Sequence, residues 1–251
     1  MLRAKLNQAW RLFGTAVSFA FFGVGGLILS LLLLLITFII KPSAKRIYIS
    51  RYLIQRTFRF FVFLMKSLGV LRCHIDLPLV APKRGVLITP NHPSLIDVVL
   101  LIAHIEQVNC VVKASLWRSP FVGLIVRSAG YIPNSAGEEV LSLCRQSFEA
   151  GQSVIVFPEG TRTEPNSPLK LQRGAANIAL RAEADIVLVH ISVSPKTLAK
   201  ADAWYQIPIQ QPCFKVVLGA TVDAKQVTKD CSSISLAARV LTRYLTKALS
   251  Q

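Results

Sequence analysis

Two short segments carry residue types that suit chemistry: Asn91-His92-Pro93-Ser94-Leu95-Ile96-Asp97 and, further along, Phe157-Pro158-Glu159-Gly160-Thr161-Arg162. A histidine is the side chain best suited to take and return a proton near neutral pH. A carboxylate behind it fixes the tautomer and stabilises the imidazolium that proton uptake creates. Asp97 is placed to do this for His92, provided the loop backbone turns the ring toward it. In the second segment Gly160 permits a tight turn, and Arg162 can pair in bidentate fashion with a phosphate. Glu159 either holds an acceptor hydroxyl, orients Arg162 or makes a structural ion pair. The chain has no Gly-x-Ser-x-Gly nucleophile setting. The base would therefore act on a bound hydroxyl that attacks a thioester directly. Base and anion clamp together point to acyl transfer onto a phosphate-bearing alcohol.

Positioning these groups requires strand ends. Short runs rich in Val and Ile at 86–89, 110–113, 154–157, 186–191 and 214–218 read as buried strands, and 95–105, 138–150, 174–182 and 233–249 read as helices. This alternation predicts an α/β domain with a mainly parallel sheet flanked by helices. Both segments follow a predicted strand, where ligands collect in open α/β sheets. Pro93 favours a helix start, which puts His92 at or beside the N-cap. Residues 164–169 read as a loop placed to gate an acceptor.

The N-terminal part is of another kind. Residues 13–40 hold no ionisable side chain, enough to cross a bilayer core. Gly23, Gly25 and Gly26 inside the run leave a kinked helix or a re-entrant hairpin as open as a straight span. Residues 47–68 predict an amphipathic helix, with Arg51, Arg56, Arg59 and Lys66 on one arc and Ile47, Ile54, Phe58, Phe61, Met65 and Leu68 opposite, as in a helix at a membrane interface. The 251 residues carry a formal charge of +16. Eleven Lys or Arg and no acidic residue precede Asp76, whereas the remainder is only +5. Charge beside an apolar run points to anionic lipid and away from nucleic acid, which would show an aromatic-studded basic groove. The heavier basic flank after the run places the body on the cytoplasmic side of the inner (plasma) membrane. The partition expected is a membrane-anchoring segment, 1–72, and a catalytic domain, 73–251.

The paired motifs, Asn-His-x-x-x-x-Asp and Phe-Pro-Glu-Gly-Thr-Arg, resemble those of the lysophospholipid acyltransferase family, which includes 1-acylglycerol-3-phosphate acyltransferases. The likeness covers roughly residues 70–220. It implies His92 as general base with Asp97 as its partner, and acceptor binding by the Glu159-Gly160-Thr161-Arg162 loop, with Arg173 and Lys113 as further contacts. It also implies a lysophospholipid acceptor, acyl-CoA or acyl-carrier protein as co-substrate, and neither a cofactor nor a metal. Two blocks depart from the family pattern. Ser135 stands where an arginine usually falls, and 186–194 carries His190 where a proline is usual. These departures keep open a specialised lipid pathway with a different acyl group or acceptor, or a lipid-binding protein without activity.

The other reactive side chains read as structural. His74, His104 and His190 lack metal-ligand spacing. Five widely spaced cysteines without a Cys-x-x-Cys pair suit reduced thiols. The glycines at 23–26 lack the preceding strand of a nucleotide loop.

Overall fold

The computed structural model describes residues 2–41, 43–77, 85–135, 137–164 and 167–250. Of the expected loop at 164–169, Pro165 and Asn166 lie outside the described residues. Seven strands form one sheet: β1 (Arg72–Asp76), β2 (Leu87–Pro90), β3 (Asn109–Lys113), β4 (Ile132–Asn134), β5 (Val154–Ile155), β6 (Ile186–Ser194) and β7 (Cys213–Val222), in the order β1-β7-β6-β2-β5-β3-β4. Strands β6, β2, β5, β3 and β4 run parallel; β7 pairs antiparallel with β6, and β1 lies parallel to β7 at the edge. The sheet is thus mainly parallel, as the alternating pattern predicts.

Side chains of a strand point alternately to the two faces. Leu87, Val154, Ile186 and Leu188 accordingly enter one core with helices α6 (Glu138–Glu149), α7 (Gly174–Ala182) and α9 (Ile234–Leu249). Ile88, Ile155, Val187 and Val189 enter the other with α2 (Ser43–Ser67), α3 (Asp97–His104) and α5 (Gly123–Ser128). Short helices α4 (Ala114–Trp117) and α8 (Ala224–Val227) complete the set.

The N-terminal helix α1 (Leu2–Ile39) is unbroken across Gly23, Gly25 and Gly26, so no re-entrant hairpin forms within it. Its 38 residues extend about 57 Å. Arg11, Thr15, Ser18, Leu29 and Leu33 are buried on one face, while Phe13, Leu27, Ile28, Leu31, Leu35, Phe38 and Ile39 are exposed. The inner face rests on α2: Phe21 meets Phe60 and Phe22 meets Phe61, with ring centroids 5.3 and 5.1 Å apart. Gly14 lets α1 approach the segment after α2 closely, since a Cβ there would lie 3.0 Å from Val70 Cγ2.

Helix α2 is sandwiched between α1 and α3, which corrects the expectation of one basic arc facing outward. Arg51 is only 4% exposed and donates to the carbonyls of Ala129 and Gln107 and to Gln152 Oε1. Arg59 Nε reaches the carbonyl of Ala103. Arg51 lies three and four residues before buried Ile54 and Gln55, which puts it on their face of the helix. The side that remains exposed mixes Tyr48, Tyr52, Phe60 and Phe63 with Arg56 and Lys66.

Candidate active site

His92 lies just beyond the carboxyl end of β2. Asn91 fixes the backbone there: its side chain donates to the carbonyl of Ile191 (2.8 Å) and accepts from that residue's N–H (2.7 Å), continuing the β2–β6 pairing by other means. The helix expected at Pro93 starts only at Asp97, and Ile96 is its N-cap. The intervening turn lets the Asp97 carboxylate fold back as a local anchor. Its Oδ2 accepts from the Ser94 N–H at 2.7 Å and meets His92 Nδ1 at 2.9 Å. A continuous helix from Pro93 would have turned the two side chains apart. The imidazole packs on Phe157, ring centroids 4.2 Å apart.

The second segment follows β5 and forms a turn closed by Gly160 N–H to the carbonyl of Phe157, with Gly160 at φ +69°, where other residues are strained. Glu159 points away from the cleft and ties the two segments together. Its Oε1 accepts from the His92 N–H (2.8 Å) and from the Thr163 hydroxyl (3.0 Å), while the Thr163 N–H donates to the carbonyl of His92. Burial pushes the Glu159 carboxyl up from the usual carboxylate range, opposed by the Thr163 and His92 hydrogen bonds. Asp97, fully buried, is raised for the same reason, opposed by His92, Ser94 and the charge of Arg162.

Arg162 is fixed by the segment after β6: its Nη1 donates to the carbonyls of Leu198 (3.0 Å) and Ala199 (2.7 Å). Leu198 adopts φ +51°, and its carbonyl also accepts from the Leu95 N–H. The Ser94 hydroxyl donates to the carbonyl of Thr197. One segment therefore braces both motif loops.

A cleft of about 970 Å³ runs across the carboxyl ends of β2, β5, β3 and β4. His92, Lys113, Gly160, Thr161 and Arg162 line it, together with apolar Leu95, Val98, Val111, Leu141, Val156 and Ile178. Asp97 and Glu159 stand behind that wall. Arg173 is exposed at the N-cap of α7 and is not part of the wall, although Gln172 and Gly174 on either side are. Ser135 lines the cleft, its hydroxyl turned to the carbonyl of Pro133 and to Glu139. Among the described residues no group of three or more His, Cys, Asp or Glu is arranged to hold a metal. No role for Asn91, Ser94 or Thr163 is legible in the sequence. They stand beside His92 and Arg162, but Asn91 and Ser94 find their partners on backbone about a hundred residues away, and Thr163 finds its own in the Glu159 carboxylate and the His92 carbonyl.

Residues 72–195 match the family described as Acyltransferase. The chain carries an acyltransferase-family domain. A Cocos nucifera protein named 1-acyl-sn-glycerol-3-phosphate acyltransferase is 32% identical over 104 residues, 39% of this chain and 34% of that protein. Proteins of the same name from Helicobacter pylori and Bacillus subtilis are each 29% identical, over 107 and 108 residues, covering 40% and 41% of this chain and 45% and 53% of theirs. The chain thus matches about a third to a half of the length of these curated relatives. The crystal structure titled 1-acyl-sn-glycerophosphate (LPA) acyltransferase, PlsC, from Thermotoga maritima superposes with a TM-score of 0.64 at 21% identity, covering 99% of this chain and 95% of that one. The acyltransferase fold therefore extends over the N-terminal helices as well as the matched domain.

Proposed function

We propose that this chain is a membrane-associated O-acyltransferase that moves a fatty acyl group from acyl-CoA or acyl-carrier protein to the free hydroxyl of a lysophospholipid such as 1-acylglycerol-3-phosphate. The observation that carries this reading is the 2.9 Å contact between His92 Nδ1 and the buried Asp97 carboxylate, with the ring on the wall of a large, partly apolar cleft. With Nδ1 committed to Asp97, Nε2 is the basic atom. It takes the acceptor hydroxyl proton as that oxygen attacks the thioester carbonyl. The C–S bond then breaks, and the imidazolium returns the proton to the leaving thiolate. Asp97 stabilises the imidazolium and is not itself protonated. Lys113 and the guanidinium nitrogens of Arg162 other than Nη1 hold the acceptor phosphate, and Gly160 and Thr161 shape the turn against it. The apolar wall takes an acyl chain. No metal or other cofactor is needed for these steps.

The membrane attachment rests on α1. Its inner face packs on α2 and α5, and the exposed apolar residues of its outer face are open to a bilayer. The basic excess of residues 1–75 draws the protein to an anionic leaflet, the cytoplasmic side of the inner membrane.

His92→Ala should slow turnover by about 10² to 10⁴ while the protein still folds. Unchanged transfer from a radiolabelled thioester by the folded variant would remove His92 from the mechanism. Arg162→Ala should raise the KM for the acceptor with little change for the donor; a defect confined to the donor would reverse that assignment. A second reading, an acyltransferase of a specialised lipid pathway, is favoured by Ser135, which brings no charge to the cleft. A panel of lysolipid acceptors against CoA and carrier-protein donors, read by mass spectrometry, separates the two.

A further inference from the structure

Between β6 and β7 the chain makes a long excursion, 195–212, that does two jobs at once. Its first part, Thr197 to Ala199, accepts hydrogen bonds from Ser94, Leu95 and Arg162 beside the candidate active site. Its later part lies on the first turns of α1. Gln8 Nε2 donates to the carbonyl of Ile207, and Arg11 Nη2 to those of Pro208 and Ile209, each at 2.6 Å. Trp204 packs on Phe19, ring centroids 6.1 Å apart. Arg11 is 2% exposed, so a cation that would otherwise flank the apolar run is used to hold this strap in place.

Having spent its carbonyls on α1 and on the motif loops, the strap leaves its largest side chains outside: Trp204 is 45% exposed, Tyr205 60% and Ile209 67%. Trp10 and Phe13, on the same N-terminal turns of α1, are also exposed, with rings 5.6 Å apart. Arg3 and Lys5, exposed on the preceding turns of α1, add positive charge at this end. Trp and Tyr beside an apolar residue, rimmed by cations, match the chemistry of the boundary between lipid headgroups and acyl chains. A protein partner is a poorer fit. The patch adjoins the exposed apolar face of α1, and any layer of lipid on that face meets the strap as well.

We propose that the strap is a second bilayer-contacting element, with Trp204, Tyr205 and Ile209 seated at the headgroup boundary of an anionic lipid surface alongside α1. The inference rests on the proposed membrane attachment of α1 and extends it to a segment of the catalytic domain. Its test uses the full chain reconstituted into vesicles of phosphatidylglycerol and phosphatidylethanolamine with brominated acyl chains. With Trp204 as the sole tryptophan (Trp10→Phe, Trp117→Phe), its emission should shift to the blue and lose roughly half its intensity against the same vesicles without bromine, as befits a ring at the headgroup boundary. A companion chain with all three tryptophans replaced by Phe and Leu31→Trp added reports on α1 alone. Quenching at position 31 but none at Trp204 overturns the strap proposal and leaves the attachment of α1 intact. Absence of quenching at both sites overturns the two together. Should the sole-tryptophan chain fail to fold, the difference in quenching between the natural chain and its Trp204→Phe variant reads out the same contact.

Discussion

Asp97 is the carboxylate that the proposed reaction relies on, and its burial is costly to the fold. Its Oδ2 holds both His92 and the Ser94 N–H, yet burial raises its proton affinity and Oδ1 has no partner among the described residues. A carboxyl raised above its unfolded value binds protons more readily in the native state. Stability is therefore lost as pH rises from the ordinary carboxylate pKa, about 4, toward the native one, and the penalty is full above both. Asp97→Asn keeps an acceptor for Ser94 and removes this penalty. The variant should melt no lower than the natural chain at neutral pH, with any advantage disappearing below about pH 4. Its activity should nonetheless fall by roughly 10² to 10⁴, because a neutral amide does not stabilise the imidazolium formed when His92 takes up the proton. Thermal melts from about pH 3 to 8 beside rate measurements check both halves; parallel loss of stability and activity would make Asp97 a merely structural residue.

Among the elements, α2 carries the clearest mechanical role, since Arg51 joins it to the loops after α3, after α5 and before β5. Arg51→Ala leaves one buried and two half-buried acceptors unpaired and should cost about 3 kcal/mol in denaturant titrations, with little effect on the acceptor KM. The apolar runs predict β2, β3, β5, β6 and β7 because each is rich in Val and Ile, with β2 and β5 buried on both faces, and four of the flanking helices are equally legible. Strands β1 and β4 are not. The first is an edge strand whose residues are half exposed, and the second is three residues long, so neither leaves a hydrophobic signature. Periodicity places Arg51 with the other cations because it registers residue type and angle, and an arginine satisfied by carbonyls looks the same as one in water. The His92 and Arg162 loops are visible as motifs. The strap that braces them is not, because its contribution consists of backbone carbonyls, which every residue has.

Over the whole molecule, charge and apolar surface are segregated. Lys41 and Lys45, both exposed between α1 and the body of α2, belong to the basic excess that the proposed attachment sets against anionic lipid. Neutralising both as Gln should weaken partition onto phosphatidylglycerol vesicles by about 2 kcal/mol, roughly 30-fold, and leave partition onto zwitterionic vesicles unchanged. Equal losses on both kinds of vesicle would show that the lysines act through the fold. Among the described residues the far side of the sheet, with α6, α7 and α9, has no such apolar exterior apart from scattered residues of α9, so the proposed attachment has one face to use.

The interior thiols bear on how the reaction can be watched. Cys110, on the cleft wall, and Cys144, in the core beneath α6, keep their protons up to about 12 because burial penalises the thiolate, and Cys73 is shifted the same way. A coloured disulfide reagent, added to count the sulfhydryl released from a thioester at each turnover, reacts only with ionised sulfur. Background from the enzyme itself then comes from the half-buried Cys73, Cys213 and Cys231, and replacing those three with serine gives a continuous optical readout while the cleft keeps its natural residues.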